Sequence, residues 1–225
     1  MLLHIENLLD GATVARICAR LDGAEWIDGR ETVGPQGAQV KRNRQLPDAS
    51  RLRAELGREV LTACARHPEF HAATLPAKIL PPRFNRYVDG GTYGAHIDGA
   101  VMALADGSQL RSDIACTVFL ADPESYDGGE LIVDDTYGEH EVKLPAGDAI
   151  VYPASSLHRV EPVTRGARVA AFFWIQSLVR EDAQRRTLLQ LDTAIRQLTG
   201  SGAEPDAIKQ LTGVYHNLLR QWAET

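Results

Sequence analysis

Two histidines and one aspartate have the residue types and spacing of a metal site. His96 and Asp98 are two residues apart, so on an extended backbone their side chains leave from the same face while Ile97 points away. His158, which follows the apolar run at residues 148–152, can supply a third ligand. Two histidines and a carboxylate leave three coordination positions open for a bidentate 2-oxo acid and dioxygen, whereas a structural zinc site uses four protein ligands. This pattern therefore predicts a catalytic iron(II) site.

Arg168 is the candidate for holding the second carboxylate of the 2-oxo acid. It lies ten residues after His158, at the head of the apolar run at residues 169–175. A planar guanidinium binds a carboxylate through two parallel N–H donors. We therefore expect Arg168 to anchor the distal carboxylate of 2-oxoglutarate.

Parts of this pattern also fit two simpler roles. His96 and Asp98 alone could form a hydrogen-bonded pair at a strand edge, and the three ligands could hold zinc that activates water for hydrolysis. The zinc alternative leaves Arg168 without a role, and the sequence offers no obvious general base beside the site. The remaining histidines are expected to be ordinary surface or core residues; they are His4, His67, His71, His140 and His216.

Short strands between two helical segments are expected to position these residues. Residues 77–177 contain β-prone runs separated by glycine and proline turns, which is typical of a sandwich or jelly roll. Residues 1–76 are predicted to pack on this core as helices, one capped by Asp10 and another over 49–66, with a strand-like stretch at 38–46. Residues 179–225 are predicted to form a helical hairpin with a break at 200–205. We therefore expect three segments, 1–76, a core at 77–178, and 179–225.

These motifs together resemble the bacterial PKHD-type hydroxylases, in the prolyl 4-hydroxylase-like branch of the 2-oxoglutarate dioxygenases, some of which are associated with iron uptake. The resemblance is carried by the spacing of the three ligands and Arg168, by Gly-Gly-Glu-Leu at 128–131 and by Pro-x-Gly-Asp at 145–148. The tail, with its stretch at 215–220, is similar to the family's C-terminal extension. The resemblance implies an α+β protein with a double-stranded β-helix core, iron(II) on His96, Asp98 and His158, 2-oxoglutarate on Arg168, and L-ascorbate as reductant.

One position departs from several eukaryotic relatives. Phe119 stands where those relatives place a tyrosine, so any further hydroxyl that contacts the cosubstrate must come from elsewhere. Tyr87 and Thr117 are the candidates, although both could be ordinary strand residues. Asp98 favours hydroxylation over halogenation, because related halogenases replace this carboxylate with a small residue.

The function expected from this resemblance is hydroxylation of an amino-acid side chain, a peptide or protein, or a small metabolite, with release of succinate and CO2. The alternative is a non-catalytic sensor of iron or a 2-oxo acid on the same fold, which would bind its ligands without forming succinate. Lys41, Arg42 and Arg44 are expected to lie on a solvated extended face, although the flanking Asn43 and Gln45 could reach a substrate groove.

Composition and charge limit which binding partners and which cellular compartment are expected. The formal net charge of -6 gives no electrostatic basis for binding nucleic acid or an anionic membrane. The longest apolar run is far shorter than the roughly 20 residues that a spanning helix needs. Three scattered cysteines argue against a disulfide framework and favour a reducing cytoplasm. The helical tail could pack on the β core or on a second subunit. In the second case the protein would be a homodimer.

Overall fold

The strand Ile114–Phe119 is buried on both faces, and this fixes the order of layers in the fold. Cys116 and Val118 join one apolar cluster, whereas Ala115 and Phe119 join another. A sheet with two buried faces needs a layer on either side of it. In the computed structural model, which describes residues 1–104 and 106–225, helices cover one face and a second sheet covers the other.

The helices of the described residues are α1 (Gly11–Asp22), α2 (Pro35–Val40), α3 (Arg51–Arg66), α4 (Pro68–Thr74), α5 (Asp182–Gly200) and α6 (Pro205–Trp222). Short 3-10 turns occupy Gly29–Thr32 and Pro123–Ser125. The first strands are β1 (Leu3–Ile5), β2 (Ile27–Asp28), β3 (Lys41–Arg42), β4 (Arg44–Gln45), β5 (Pro76–Ile79), β6 (Arg83–Tyr87), β7 (Thr92–His96), β8 (Val101–Ala103) and β9 (Gln109–Arg111). The later strands are β10 (Ile114–Phe119), β11 (Asp127–Gly128), β12 (Leu131–Asp135), β13 (Gly138–Val142), β14 (Ala149–Pro153), β15 (His158–Val160), β16 (Val163–Arg165) and β17 (Arg168–Ser177).

Two antiparallel sheets form the jelly-roll core. The larger sheet has the order β1-β14-β10-β17-β6-β4-β2, and β5 also pairs with β17. The smaller sheet has the order β13-β12-β15-β7-β3. Two separate strand pairs, β8 with β9 and β11 with β16, complete the β structure of the described residues. The predicted α+β jelly roll with flanking helices is therefore confirmed.

Helices α1 and α3 pack on the outer face of the larger sheet through apolar stripes. Helix α1 begins after Asp10, whose carboxylate accepts a hydrogen bond from the Thr13 backbone N–H at 2.7 Å, and it buries Val14, Ile17 and Leu21. Helix α3 begins after Ser50 and packs in the same way, which confirms the helix predicted over residues 49–66. Helix α4 was not predicted, because it is too short to show a helical period.

The strand-like stretch predicted at residues 38–46 was wrong in its first part. Pro35 follows Gly34 at the start of α2, a position where the fixed φ of proline suits a helix, and the helix continues to Val40. The chain then crosses between the two sheets, since β3 pairs with β7 and β4 pairs with β6. Residues 41–45 therefore join the edges of both sheets.

The C-terminal helices form the predicted hairpin. Leu188 of α5 is fully buried and packs with Leu75 and Val179, and Trp222 of α6 packs against the same cluster. None of the residues of α6 is fully buried. Among the helices of residues 1–104 and 106–225, none combines the length and hydropathy that crossing a membrane requires.

Candidate metal centre

The period of two residues along the strands decides which side chains reach the space between the sheets. Strand β17 directs Ala171, Phe173 and Ile175 toward the helices, so alternate residues from Arg168 to Trp174 face the smaller sheet. The same alternation applies to β6, β10 and β14. A cavity of about 950 Å³ opens between the sheets on this side, and its walls include Asn85, Tyr87, Thr117, Tyr152, Arg168, Phe172 and Trp174.

The structure brings His96, Asp98 and His158 together at this cavity. One ligand atom from each lies within 4.8 Å of the others. The Nε2 atom of His96 is 4.0 Å from Oδ1 of Asp98, and Nε2 of His158 is 3.8 Å from Oδ2 of the same carboxylate. His96 and His158 are direct partners on β7 and β15, whereas Asp98 follows the end of β7. Ile97 between them is 60% exposed, which is the alternation expected from the spacing.

Backbone carbonyls orient both imidazoles. Nδ1 of His96 lies 2.8 Å from the carbonyl oxygen of Gly94, and Nδ1 of His158 lies 3.0 Å from that of Ser156. An Nδ1–H that donates to a carbonyl leaves the Nε2 lone pair free for a metal, as is usual for metal-binding histidines. The hydrogen bonds therefore fix the tautomer in which both Nε2 atoms face Asp98.

Burial sets the charges of these groups. It lowers the pKa of His96 to about 4, helped by the neighbouring His158, so the imidazole is neutral near pH 7. Burial also raises the pKa of Asp98, against the opposing influence of His158 and Lys41. A buried carboxylate and two imidazole lone pairs that face one point suit a divalent cation there. Two nitrogen donors and one carboxylate on one side, with a cavity on the other, fit iron(II) with positions open for small molecules.

Arg168 is buried in the wall of the same cavity, and it is only 1% exposed. Its guanidinium carbon lies 5.4 Å from the ring centre of Tyr87 and 5.2 Å from that of Phe119. Its Nε atom is buried without a hydrogen-bond partner, and no carboxylate of the described residues lies within ion-pair distance. A guanidinium cannot lose its proton in a protein, so a buried one requires an anion. The cavity supplies the space for that anion.

Tyr87 and Thr117 both line the cavity beside Arg168. Tyr87 is the direct partner of Arg168 on the adjacent strand, and Thr117 faces inward from β10. The ring of Phe119 lies against the Arg168 guanidinium and brings no hydroxyl there. The structure thus places the sequence-predicted site residues around one cavity.

Sequence reasoning missed Tyr152. It belongs to β14 and faces inward like Thr117, and its ring lies edge-on to His158 with the ring centres 5.2 Å apart. Burial raises the pKa of Tyr152 well above its ordinary value, so its hydroxyl stays protonated. The alternation along the apolar run that precedes His158 could have identified it.

The prediction for Lys41 was wrong. Lys41 is 5% exposed and lines the cavity, whereas Arg42 and Arg44 point to solvent as expected. The alternation of a strand turns residues 41, 43 and 45 inward where the chain crosses between the sheets. Lys41 and Asn43 of this stretch therefore form part of the cavity wall.

Comparison with known proteins identifies the family of this chain. The profile of the 2OG-Fe(II) oxygenase superfamily matches residues 82–176, and that of the PKHD-type hydroxylase C-terminal domain matches residues 182–224. A PKHD-type hydroxylase from Stenotrophomonas maltophilia (strain R551-3) is 65% identical over 224 residues, covering 100% of both chains. A PKHD-type hydroxylase from Xylella fastidiosa (strain M23) is 61% identical over 230 residues, again covering 100% of both.

Solved structures share the fold at low sequence identity. A prolyl-4-hydroxylase from Pseudomonas putida has a TM-score of 0.51 at 20% identity, over 78% of this chain and 92% of that one. HygX from Streptomyces hygroscopicus, solved with nickel, 2-oxoglutarate and hygromycin B bound, has a TM-score of 0.53 at 17% identity, over 78% and 82% of the two chains. The full-length match to its curated relatives shows that this chain belongs to the PKHD-type hydroxylases of the 2OG-Fe(II) oxygenase superfamily.

Proposed function

We propose that this enzyme is an iron(II)- and 2-oxoglutarate-dependent hydroxylase with its metal on His96, Asp98 and His158 and its cosubstrate on Arg168. In the overall reaction, a substrate C–H bond becomes C–OH, one oxygen atom of O2 enters the product, and 2-oxoglutarate becomes succinate and CO2. Its substrate is an amino-acid side chain, a peptide or protein, or a small metabolite.

The observation that carries this proposal is the buried guanidinium of Arg168. It is 1% exposed, it has no carboxylate partner among the described residues, and it shares a cavity with the three metal-binding candidates. A zinc hydrolase would have no use for a buried cation at this place. A dicarboxylate that reaches from the metal to Arg168 accounts both for the buried guanidinium without a partner and for its place in the same cavity as the metal-binding candidates.

Iron bound at this site supplies dioxygen activation and the oxidising equivalent that attacks the substrate C–H bond. The protein residues bind, orient and exclude water. The carbonyls of Gly94 and Ser156 hold the imidazoles in the ligating tautomer, and the Arg168 guanidinium fixes the distal carboxylate. We assign Tyr87 and Thr117 as the hydroxyl donors to the cosubstrate, since both line the cavity near Arg168.

The three segments of the chain have separate tasks in this proposal. Residues 77–178 carry the metal and the cosubstrate, residues 1–76 pack on that core, and residues 179–225 form the helical extension. We propose that the extension contributes to a homodimer, because Val214 of α6 is 48% exposed and α6 has no fully buried residue. Sedimentation of the intact chain tests this, and a monomer at all concentrations contradicts it.

Two further features belong to the proposal. L-ascorbate serves as the reductant that keeps the iron divalent, as the family implies; sustained turnover should then need it. The enzyme works in the cytoplasm, which is supported by the free state of Cys18, Cys64 and Cys116 among the described residues.

The proposal is tested by calorimetric titration of 2-oxoglutarate into iron(II)-loaded protein without oxygen. Wild type should bind 2-oxoglutarate only with the metal present, and Arg168→Ala should weaken binding by at least about tenfold, because a charge-assisted hydrogen bond contributes about 1.5–3 kcal/mol. Arg165→Ala is the matched control, since Arg165 is exposed and pairs with Asp127. Equal affinities in Arg168→Ala and wild type would contradict the assignment. Subsequent addition of oxygen separates an enzyme, which forms succinate, from a sensor, which does not.

A further inference from the structure

A second buried cation lies in the cavity, and the reaction with 2-oxoglutarate does not use it. Lys41 Nζ donates to Thr32 Oγ1 at 3.1 Å and to the side-chain oxygen of Gln45. Both acceptors are neutral, and an ammonium has three N–H donors. No carboxylate of residues 1–104 and 106–225 lies within ion-pair distance of Nζ. Among the described residues, the Lys41 ammonium therefore has no carboxylate in direct contact.

Lys41 is close to the metal-binding candidates but belongs to a different wall from Arg168. Its Nζ atom is 5.1 Å from the ring centre of Tyr93, and that ring stacks on the imidazole of His96 with the centres 3.6 Å apart. The ammonium is thus one aromatic ring away from His96. Lys41 lies on β3 of the smaller sheet and Arg168 on β17 of the larger one. The two cations can therefore hold two separate anionic groups.

Buried amides beside Lys41 also lack partners. The side chain of Asn43 is 8% exposed, and both its Oδ1 and its Nδ2 atom are buried without a hydrogen bond. Oδ1 of Asn85 is also buried without a hydrogen bond. Buried polar atoms in native proteins are almost always hydrogen-bonded, so a group of them at one cavity wall indicates a polar ligand. Arg83 does not supply free charge there, because it already pairs with Asp48 at 2.9 Å.

The mouth of the cavity is apolar. Val40, Ile97 and Leu157 line it and are 40%, 60% and 43% exposed. Large exposed apolar side chains scattered singly need no explanation, but a group around a cavity mouth indicates a binding surface. The cavity is thus charged at Lys41 and apolar toward solvent.

We propose that the primary substrate is an organic acid whose carboxylate binds Lys41 and Asn43 and whose apolar part lies against Val40, Ile97 and Leu157. This inference rests on the proposed function, because it assumes that 2-oxoglutarate occupies the Arg168 side of the cavity. The bond that is oxidised then lies a few carbon atoms from the carboxylate, beside His96. Burial lowers the pKa of Lys41 to about 8, so the ammonium form still predominates near neutral pH.

The test measures binding of hexanoate, hexanamide and hexylamine to anaerobic, iron(II)-loaded protein saturated with 2-oxoglutarate. The three probes share an apolar chain and differ in the charge of the end group. Wild type should bind hexanoate at least about tenfold more tightly than hexanamide, since the ion contributes a charge-assisted hydrogen bond. Hexylamine should bind most weakly. Raising the 2-oxoglutarate concentration should not weaken hexanoate binding, because the two sites differ.

Variants then assign the preference to Lys41. Lys41→Met should remove the advantage of hexanoate over hexanamide, and Lys41→Arg should keep part of it. Arg44→Met is the matched control, because Arg44 lies three residues away and faces solvent. Wild type that does not prefer hexanoate overturns the proposal without any variant, as does a preference that survives in Lys41→Met. Failure of wild type to bind 2-oxoglutarate at all contradicts the proposed function instead, so the two failures are distinguishable.

Discussion

Arg168 and Tyr87 are direct partners on adjacent antiparallel strands, and the Arg168 guanidinium carbon lies 5.4 Å from the centre of the Tyr87 ring. An aromatic face attracts a cation, by about 2 kcal/mol when both are desolvated, but it offers no hydrogen-bond acceptor. The pair therefore holds the guanidinium in place and leaves its N–H donors for a ligand. The protein stabilises this charge only partly until 2-oxoglutarate binds.

Replacing this guanidinium should affect the free and the bound protein in opposite directions. Without ligand, Arg168→Met should be at least as stable as wild type, because an uncompensated buried charge is replaced by an apolar side chain. With iron(II) already bound, addition of 2-oxoglutarate should raise the thermal stability of wild type and raise that of the variant only a little. Thermal unfolding with and without ligands measures both effects.

Arg165→Met controls for the loss of an arginine on a neighbouring strand, since its side chain is 58% exposed. It should keep the ligand-induced increase in stability. A loss of stability in ligand-free Arg168→Met, together with an undiminished response to 2-oxoglutarate, would show that Arg168 is a structural residue.

Gly129 is expected to control the position of Arg168. It has a φ of +70°, and a Cβ atom there would lie 3.1 Å from Cδ of Arg168 and 2.8 Å from Cγ2 of Val163. Gly129→Ala should destabilise the protein by more than the roughly 1–3 kcal/mol of a strained backbone and should also weaken 2-oxoglutarate binding. Gly138→Ala is the control, because Gly138 has a φ of +118° but open space around it. Urea unfolding and calorimetric titration with 2-oxoglutarate measure both effects in the two variants. Equal losses in Gly129→Ala and Gly138→Ala would contradict the role of Gly129 in positioning Arg168.

The lowered pKa of the buried Lys41 ammonium should make the stability of the protein depend on pH. Burial lowers its pKa from 10.5 to about 8 in the folded protein, so between these values the unfolded chain binds more protons than the folded one. The free energy of unfolding of wild type, relative to Lys41→Met, should therefore rise as pH increases through this window. Urea unfolding at pH values below, within and above the window measures this difference. A difference that stays flat or falls would mean that the Lys41 charge is neutralised in the folded protein.

Leu188 should determine how firmly the C-terminal hairpin is attached. Its side chain is 0% exposed and packs with Leu75 and Val179. Leu188→Ala should lower the free energy of unfolding by about 2–5 kcal/mol, as is usual for such a cavity. Leu198→Ala, later in the same helix and only partly buried, should cost less. Equal losses in urea unfolding would indicate that the hairpin is held elsewhere.

The sequence allowed much of the site to be predicted, because its residues lie on or next to strands. Residues two apart share a face of a strand, so His96 and Asp98 could be assigned to one metal from their spacing. Arg168 begins the longest strand of the larger sheet, whose apolar run is easy to recognise. The helices with clear caps, such as the one after Asp10, were predicted for the same local reasons.

Asn43 was expected to be able to reach a groove, but the inward direction of Lys41 could not be predicted, since β3 and β4 have only two residues each. Such short strands show no periodicity, and the direction of Lys41 depends on pairing with the distant strands β7 and β6. Three basic residues in five positions normally indicate a solvated face. Here tertiary pairing turned one of them into the cavity.

Succinate release decides whether His96, Asp98 and His158 hold the iron of a 2-oxoglutarate oxygenase. Anaerobically iron-loaded wild type, given 2-oxoglutarate, ascorbate and then oxygen, should form succinate, and His158→Ala should lower the rate at least about 100-fold, beyond the effect usual for an outer-shell residue. His140→Ala should match wild type, because His140 is an exposed partner of Asp135. Succinate formation that survives in His158→Ala would contradict the assigned metal site. Wild type that neither forms succinate nor binds 2-oxoglutarate in an iron-dependent manner would contradict the assignment of this chain as a 2-oxoglutarate oxygenase.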